Sequence, residues 1–285
     1  MDMLMSAEKP VGPLSGLVAV LLPVRDGERE IVPALDRLRE RSAGARVVVV
    51  DDGSIDATSS LVRRFFPDVF LLSCPRRGLA HALNAGLQAV QEPFVARIDV
   101  DDELVGDRFS DQASLLQDNP AAVLCVTACR ETRGDSPSGV ASAVDDFSGQ
   151  GLVPVSESGR FLFPPTDGKE LRRVLLRRNP IVHGTVMFRR EAVLAVGGYD
   201  ESFPVAQDYD LWLRLTEKGE VVMLPQIGYI RHPPVGQELR VKRRRQAWHS
   251  ARAQWKHFRR TGRVDAFWLL RNLASSCWTG PRRGE

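Results

Sequence analysis

No apolar run in this sequence approaches the roughly 20 residues that a membrane-spanning helix requires. Nor does the N-terminus show a basic region followed by an apolar stretch. Such a chain is expected to stay soluble, with contact at a membrane surface still open to it. Cysteine is scarce: Cys74, Cys125, Cys129 and Cys277 have no spacing that makes a disulfide framework. Cys125 and Cys129 fall in an apolar run that reads as a strand. There, residues four apart share a face but stand roughly 13 Å apart, too far for one disulfide or one zinc ion. All four are expected to be reduced thiols in the cytoplasm. Internal repeats are absent, and so is a glycine-rich basic loop after the first apolar run: residues 23–30 hold a single glycine, Gly27.

What is present is enough for a large core. The chain has 285 residues, 43% of them hydrophobic, which excludes a disordered protein and allows one large domain with an appendage. A formal net charge of +3 hides an asymmetry, because acidic residues gather before Asp146 while Arg and Lys crowd the chain from Lys169 onward. Residues 1–15, with Pro10, Gly12 and Pro13, read as a loose arm. From residue 17 short apolar runs (17–22, 46–50, 69–72, 94–98) alternate with helical stripes such as Leu79, Leu83, Leu87 and Val90. That alternation predicts an α/β fold, a mostly parallel sheet covered by helices on both faces. Further on, 122–128 reads as a strand, 133–167 as a long Ser/Gly/Pro/Asp-rich loop, and 221–224 and 227–230 as two extended runs. Residues 208–218 read as a helix. Residues 237–285 form a basic helical extension in which Trp248, Trp255 and Phe258 interleave with arginines.

In parallel sheets ligands bind beyond the carboxyl ends of the strands, and two acidic groups fall there. Asp51-Asp52-Gly53-Ser54 follows the run 47–50, where two carboxylates beside a turn-permitting glycine can accept hydrogen bonds from a ligand; Ser54 or Asp56 capping the next helix explains the same residues, and both roles can hold. Asp99-Val100-Asp101-Asp102 follows 94–98. Carboxylates this crowded repel one another unless a cation or N–H donors neutralise them, and an oxygen-rich open site of this kind suits Mg²⁺ or Mn²⁺ on a diphosphate. A third carboxylate, Asp208, opens the helix 208–218, where the helix dipole alone would also favour it. Arg77-Gly78, leading into a helix that carries Asn84, offers a cation and a helix start for an anion. His232 is a candidate third metal ligand.

These strings, in this order, resemble the family 2 glycosyltransferases. The match runs from about Val18 to His232: Leu22-Pro23-Val24-Arg25-Asp26, Val50 to Ser54, Gly78 to Asn84, Asp99 to Asp102, and Gly197-Gly198-Tyr199-Asp200 with Asp208-Tyr209-Asp210-Leu211-Trp212. The resemblance implies a GT-A type, Rossmann-like domain over 16–236, with a nucleotide-binding half (16–130) and an acceptor-binding half (131–236). It implies inverting transfer of a sugar from a nucleotide diphosphate sugar to a hydroxyl of a glycan or lipid-linked acceptor. Donor binding falls to Pro23, Arg25, Asp26, Asp51, Asp52, Arg77, Gly78, Asn84 and Asp99, metal binding to Asp99, Asp101, Asp102 and His232, and the catalytic base to Asp208. Four features depart from the family pattern: Arg25 stands where a tyrosine is common, Gln207 where an acid precedes the base, Leu83 where a basic residue precedes Asn84, and the serine-containing turn usual after Arg231-His232 is absent.

Two rivals fit less well. A nucleotidyltransferase would carry the glycine-rich basic loop that residues 23–30 lack, and a non-catalytic nucleotide-binding protein has no need of both Asp101 and Asp208. The basic, Trp-bearing tail reads as a solvated helical surface or as an attachment to anionic lipid, at the inner face of a membrane, or to an acidic acceptor, rather than as a nucleic-acid site.

Overall fold

A computed structural model describes residues 12–132, 160–232 and 238–277. The first half is built from β1 (Val18–Val24), α1 (Ile31–Arg41), β2 (Arg46–Asp51), α2 (Thr58–Phe65), β3 (Phe70–Ser73), α3 (Leu79–Ala89) and β4 (Phe94–Arg97). These four strands lie parallel in the order β3-β2-β1-β4. All seven residues of β1 are buried, as a central strand covered on both faces must be. Its side chains alternate: Ala19 and Leu21 enter one core with Leu83 and Leu87 of α3, while Val18, Val20 and Leu22 enter the other with Leu35 and Leu38 of α1.

The second half follows as β5 (Glu103–Leu104), α4 (Arg108–Asp118), β6 (Ala122–Glu131), β7 (Arg160–Leu162), α5 (Gly168–Leu175), β8 (Met187–Arg189), α6 (Arg190–Ala195), α7 (Gln207–Leu215) and β9 (Glu220–Arg231). It extends the same sheet to β3-β2-β1-β4-β8-β6-β9-β5, with β7 on β6. The short β8 runs antiparallel to both β4 and β6, so it joins the two halves, while β6 and β9 pair in parallel. The two extended runs expected near the end of the domain are one strand, β9, interrupted by irregularities in its register with β6. Of the segment 133–167 read as a loop, 133–159 lies outside the described residues and 160–162 is the strand β7. Asp167 then caps α5, accepting from the backbone N–H groups of Lys169 and Glu170.

At the two ends the structure adds packing that the sequence did not signal. Residues 12–17 dock on the α1–β2 connection: Leu14 is buried, and its N–H reaches the carbonyl of Ala43 at 3.1 Å. Ordered structure therefore starts before residue 17, and only 1–11 of the expected loose arm lies outside the described residues. The basic extension is helical as expected, in α8 (Glu238–Thr261) and α9 (Ala266–Cys277). It does not stand apart from the domain: Gln254 donates to the carbonyls of Leu176 and Arg177, and Arg260 and His257 meet Glu217.

Candidate active site

Register brings the first acidic pair to the first strand. Val24 pairs with Asp51 at the carboxyl ends of β1 and β2, and the Asp52 N–H reaches the carbonyl of Val24 at 2.9 Å. Asp51 turns back into its own loop, accepting from Ser54 N–H at 2.8 Å and from the Ser59 hydroxyl. The buried carboxylate of Asp52 faces the other way. It accepts the N–H groups of Arg77 and Gly78 at 3.0 and 2.9 Å and has the Arg25 guanidinium at 3.5 Å. Gly78 holds φ 103°, a conformation that favours glycine, and so can present its N–H to Asp52 while opening α3.

Above these strand ends lies a cavity of about 460 Å³ whose walls include Pro23, Arg25, Asp52, Arg77, Gly78 and Glu201. Arg245 of α8 forms part of the wall, which places the basic extension at the mouth of the site. Glu201 gathers Arg77 at 3.1 Å, His81 at 3.2 Å and Asn84 at 3.3 Å. Asn84 also exchanges both amide ends with the backbone of Tyr199, at 2.8 Å each, so it locks the glycine turn 197–198 to α3. Asp26, at φ 53°, clasps neighbouring loops by accepting from Ile55 N–H at 2.9 Å and Arg76 at 2.5 Å. A separate hollow of about 500 Å³, between α5 and the α8–α9 connection, contains none of the predicted site residues.

The second acidic group sits at the end of β4 and is internally bound. Both oxygens of Asp99 meet the guanidinium of buried Arg97. Asp102 is buried and accepts the Tyr229 hydroxyl at 2.7 Å and the His232 N–H at 2.9 Å. Burial, then the charges of Asp99 and Asp101, push its carboxyl up to about 6 despite these donors. Asp101 is exposed. The ring of His232 is engaged on both nitrogens, by Thr132 at 3.0 Å and Glu103 at 2.9 Å. Among the described residues, no three His, Cys, Asp or Glu side chains stand close enough to hold a metal ion in this arrangement. The donor chemistry nevertheless fits one: Asp102 sits in an excess of negative charge that a hard divalent cation relieves, and the available ligands are carboxylate oxygens.

Asp208 lies in the first turn of α7, behind Ala206 in a left-handed conformation (φ 60°). Asn179 donates to its carboxylate at 2.9 Å. Burial raises its pKa, outweighing the Tyr209 N–H, the positive charge of Arg97 and the Asn179 amide, which all lower it. Nearby, the His183 ring and the Tyr199 hydroxyl are 2.9 Å apart, and burial, with Arg97 next, keeps His183 neutral. Arg97, Asn179, Tyr229, Glu201 and Arg245 are site residues that sequence reasoning missed. Arg97 had one signal, a lone cation inside the apolar run 94–98. Tyr229 had none, because an aromatic residue on a strand ordinarily belongs to the core.

The doubly covered sheet is an α/β fold of GT-A type, with Asp52 and Glu201 in the wall of the cavity beyond its first strands; Asp99, Asp101, Asp102 and Asp208 are not among the residues that line it. A sequence model described as Glycosyl transferase family 2 matches residues 19–197, more than half of the chain, and the protein belongs to that family: it is a glycosyltransferase. It is 27% identical over 221 residues to the amylovoran biosynthesis glycosyltransferase AmsE of Erwinia amylovora, covering 74% of each chain. In fold it is similar to the mannosyltransferase PcManGT of Pyrobaculum calidifontis, solved with GDP-Man and Mn²⁺ (TM-score 0.60, 21% identity, 91% of this chain and 68% of that one). S. aureus TarS, residues 1–349 solved with UDP-GlcNAc, is likewise similar (TM-score 0.56, 17% identity, 91% of this chain and 80% of that one).

Proposed function

We propose that the protein transfers a sugar from a nucleotide diphosphate sugar to a hydroxyl of a glycan or lipid-linked acceptor by a single inverting displacement, with Asp208 as general base. One observation carries this reading: the buried carboxylate of Asp52, at the end of β2, accepts the N–H groups of Arg77 and Gly78 in the wall of the cavity over the parallel strand ends. Asp208, which accepts from Asn179 at 2.9 Å, takes the role of base from the family resemblance, and Arg97 favours its charged form.

In this reading the cavity over β1 and β2 takes the nucleoside, with Asp52 and Asp51 toward base and ribose, and Arg25 against the base by its guanidinium face. Arg77, with Gly78 at the start of α3, lies toward the diphosphate. Asp99, Asp101 and Asp102 would hold a divalent metal, Mn²⁺ or Mg²⁺, and His232 supports Asp102 through its backbone N–H. When bound, the metal neutralises charge that develops on the departing diphosphate. Asp208 accepts the proton of the attacking hydroxyl. Its raised pKa suits that task, because a stronger base shares the proton more fully as the bond forms. Asn179 and the Tyr209 N–H fix the carboxylate's orientation.

The similarity to the amylovoran biosynthesis enzyme AmsE and to structures solved with GDP-Man and UDP-GlcNAc supports a nucleotide sugar as donor; a polysaccharide precursor as acceptor is part of the same reading. Among the described residues no helix is long and apolar enough to cross a membrane, and Cys74, Cys125 and Cys129 are free. An enzyme at the cytoplasmic face belongs to the same reading.

The test is transfer and donor hydrolysis across a panel of nucleotide sugars with Mn²⁺ or Mg²⁺, for wild type and Asp208→Asn. Asp208→Asn is expected to lower kcat by about 10²–10⁴-fold while donor binding persists. Full activity in that variant removes Asp208 as base; no turnover of any nucleotide sugar by the wild type removes the whole reading.

A further inference from the structure

The C-terminal helical pair carries a surface that the active site does not use. α8 and α9 pack against each other, with Asn272 donating to Gln254 at 3.0 Å. One side of α8 is committed to the domain: Ala251, Ala253, Gln254 and His257 are buried, and Arg252 and Lys256 hold the 200–203 turn through Ser202 and Asp200. Among the described residues, the other side is exposed at Trp248, Trp255 and Phe258. Of the eight large apolar side chains exposed among the described residues, five lie between positions 248 and 270: Trp248, Trp255, Phe258, Phe267 and Leu270. Single exposed apolar residues are ordinary, but a concentration of this kind marks a contact surface.

Their arrangement is regular. Trp248 and Trp255, each half exposed, are two helical turns apart and so share a stripe. The rings of Trp255 and Phe258 lie 5.5 Å apart. On α9, Phe267 and Leu270 are 70% and 65% exposed and one turn apart.

The charge around them has one sign. The only acidic residues in 238–277 are Glu238 and Asp265, and Asp265 is tied to Arg177 at 2.9 Å. Arg259 of α8, Arg263 of the connection and Arg271 of α9 are exposed, and Arg271 lies over the Trp268 ring at 4.0 Å.

We propose that the α8–α9 surface docks this enzyme on an anionic bilayer, with its aromatic and leucine side chains at the headgroup boundary and its arginines on lipid phosphates. Tryptophan and phenylalanine beside arginine suit that boundary, where one end of a side chain is apolar and the other wet. A nucleic acid strand would stack on the tryptophans but leave Leu270 and Phe267 without an apolar environment. The surface also lies next to the cavity: Arg245 is in its wall, and Trp248 follows three residues later, roughly 4.5 Å along the helix axis. An acceptor reaching the cavity from the docked face is therefore one carried on a lipid. That last step, unlike the docking, rests on the glycosyl-transfer reading above.

Vesicle flotation of the full chain tests the docking, using phosphatidylcholine alone and phosphatidylcholine mixed with phosphatidylglycerol, with donor hydrolysis measured in parallel without vesicles. The protein should float with the anionic vesicles, lose that association as salt rises, and ignore phosphatidylcholine. The triple variant Trp255→Ser, Phe267→Ser, Leu270→Ser should keep its helical content and donor hydrolysis but bind anionic vesicles about tenfold more weakly or worse. Absence of flotation, or equal binding by the variant, overturns the proposal. So does a wild-type dimer that the substitutions convert to monomer in sedimentation, which would make a second copy the occupant. Retained flotation without any donor hydrolysis would support docking and count against glycosyl transfer alone.

Discussion

The guanidinium of Arg97, 3% exposed, meets both carboxylate oxygens of Asp99, which lies two residues further along the chain and is 36% exposed. The pair closes the carboxyl end of β4 with opposite charges. It also leaves Asp101 and Asp102 as the uncompensated part of the acidic group, and its cation favours the charged form of Asp208. A metal ion that recruits Asp99 must draw it from Arg97.

Replacing Arg97 with methionine therefore has two expected effects. Stability should fall by about 1–2 kcal/mol in urea denaturation, at the low end for a broken buried pair because Asp99 can rehydrate. The acid limb of the kcat–pH profile should move to higher pH. Arg97 favours the charged form of Asp208, so its loss raises that pKa and leaves less base at any pH below it. An unmoved acid limb would separate Arg97 from the base.

Metal dependence should be pH-linked. Chelation is expected to abolish transfer, and Mn²⁺ or Mg²⁺ to restore it. With the Asp102 carboxyl pushed up to about 6, metal binding must displace its proton below that pH, so apparent metal affinity should drop as pH falls from about 7 to 5. Asp102→Asn should flatten this slope, as read by Mn²⁺ titration in the presence of a nucleoside diphosphate.

Asp52→Ala should raise the donor KM by about 10–100-fold, the effect of about 1–3 kcal/mol. It removes a buried acceptor from the nucleoside cavity and leaves the N–H groups of Arg77 and Gly78 unpaired. Titration with the nucleoside diphosphate alone checks the assignment, since the loss should appear in binding without any sugar present.

A substitution away from the cavity should disturb the same site. A Cβ at Gly184 would come within 2.0 Å of the Tyr229 ring, whose hydroxyl holds Asp102 and accepts the Asp99 N–H at 3.1 Å. Gly184→Ala should cost about 2–3 kcal/mol through overpacking, measured by thermal or denaturant unfolding. Metal-dependent activity should weaken with it even where the variant remains folded.

The contact between α8 and the domain has its own pH signature. Burial would raise the Asp200 carboxyl, but the Lys256 ammonium at 2.5 Å and the Ser202 hydroxyl and N–H hold it down to about 2. A folded pKa below the unfolded value gives stability that is present above about pH 4 and lost as pH falls toward 2. Lys256→Met should thus be about 1 kcal/mol less stable than wild type near neutrality, after allowance for solvent screening. The difference should vanish between pH 4 and 2 in a series of denaturant titrations.

Much of the fold was legible because buried strands and amphipathic helices leave local periodic marks. The runs ending at Val50 and Ile98 placed Asp51, Asp52 and the group Asp99–Asp102 at strand ends before any coordinates. The joined strand β9 was read as two because Pro225 and Gln226 interrupt an apolar pattern, whereas pairing with β6 carries the strand across its irregularities.

By itself, the sequence determined the sheet, the family and which carboxylates lie beyond the strands, since these follow from side-chain spacing along one segment. Only the tertiary structure decided what each carboxylate touches. That Asn179 holds Asp208, that Tyr229 of β9 and His232 just beyond it hold Asp102, and that α8 walls the cavity with Arg245 are contacts between segments far apart in the chain. Local periodicity carries no record of such contacts, because they depend on how the packed elements meet.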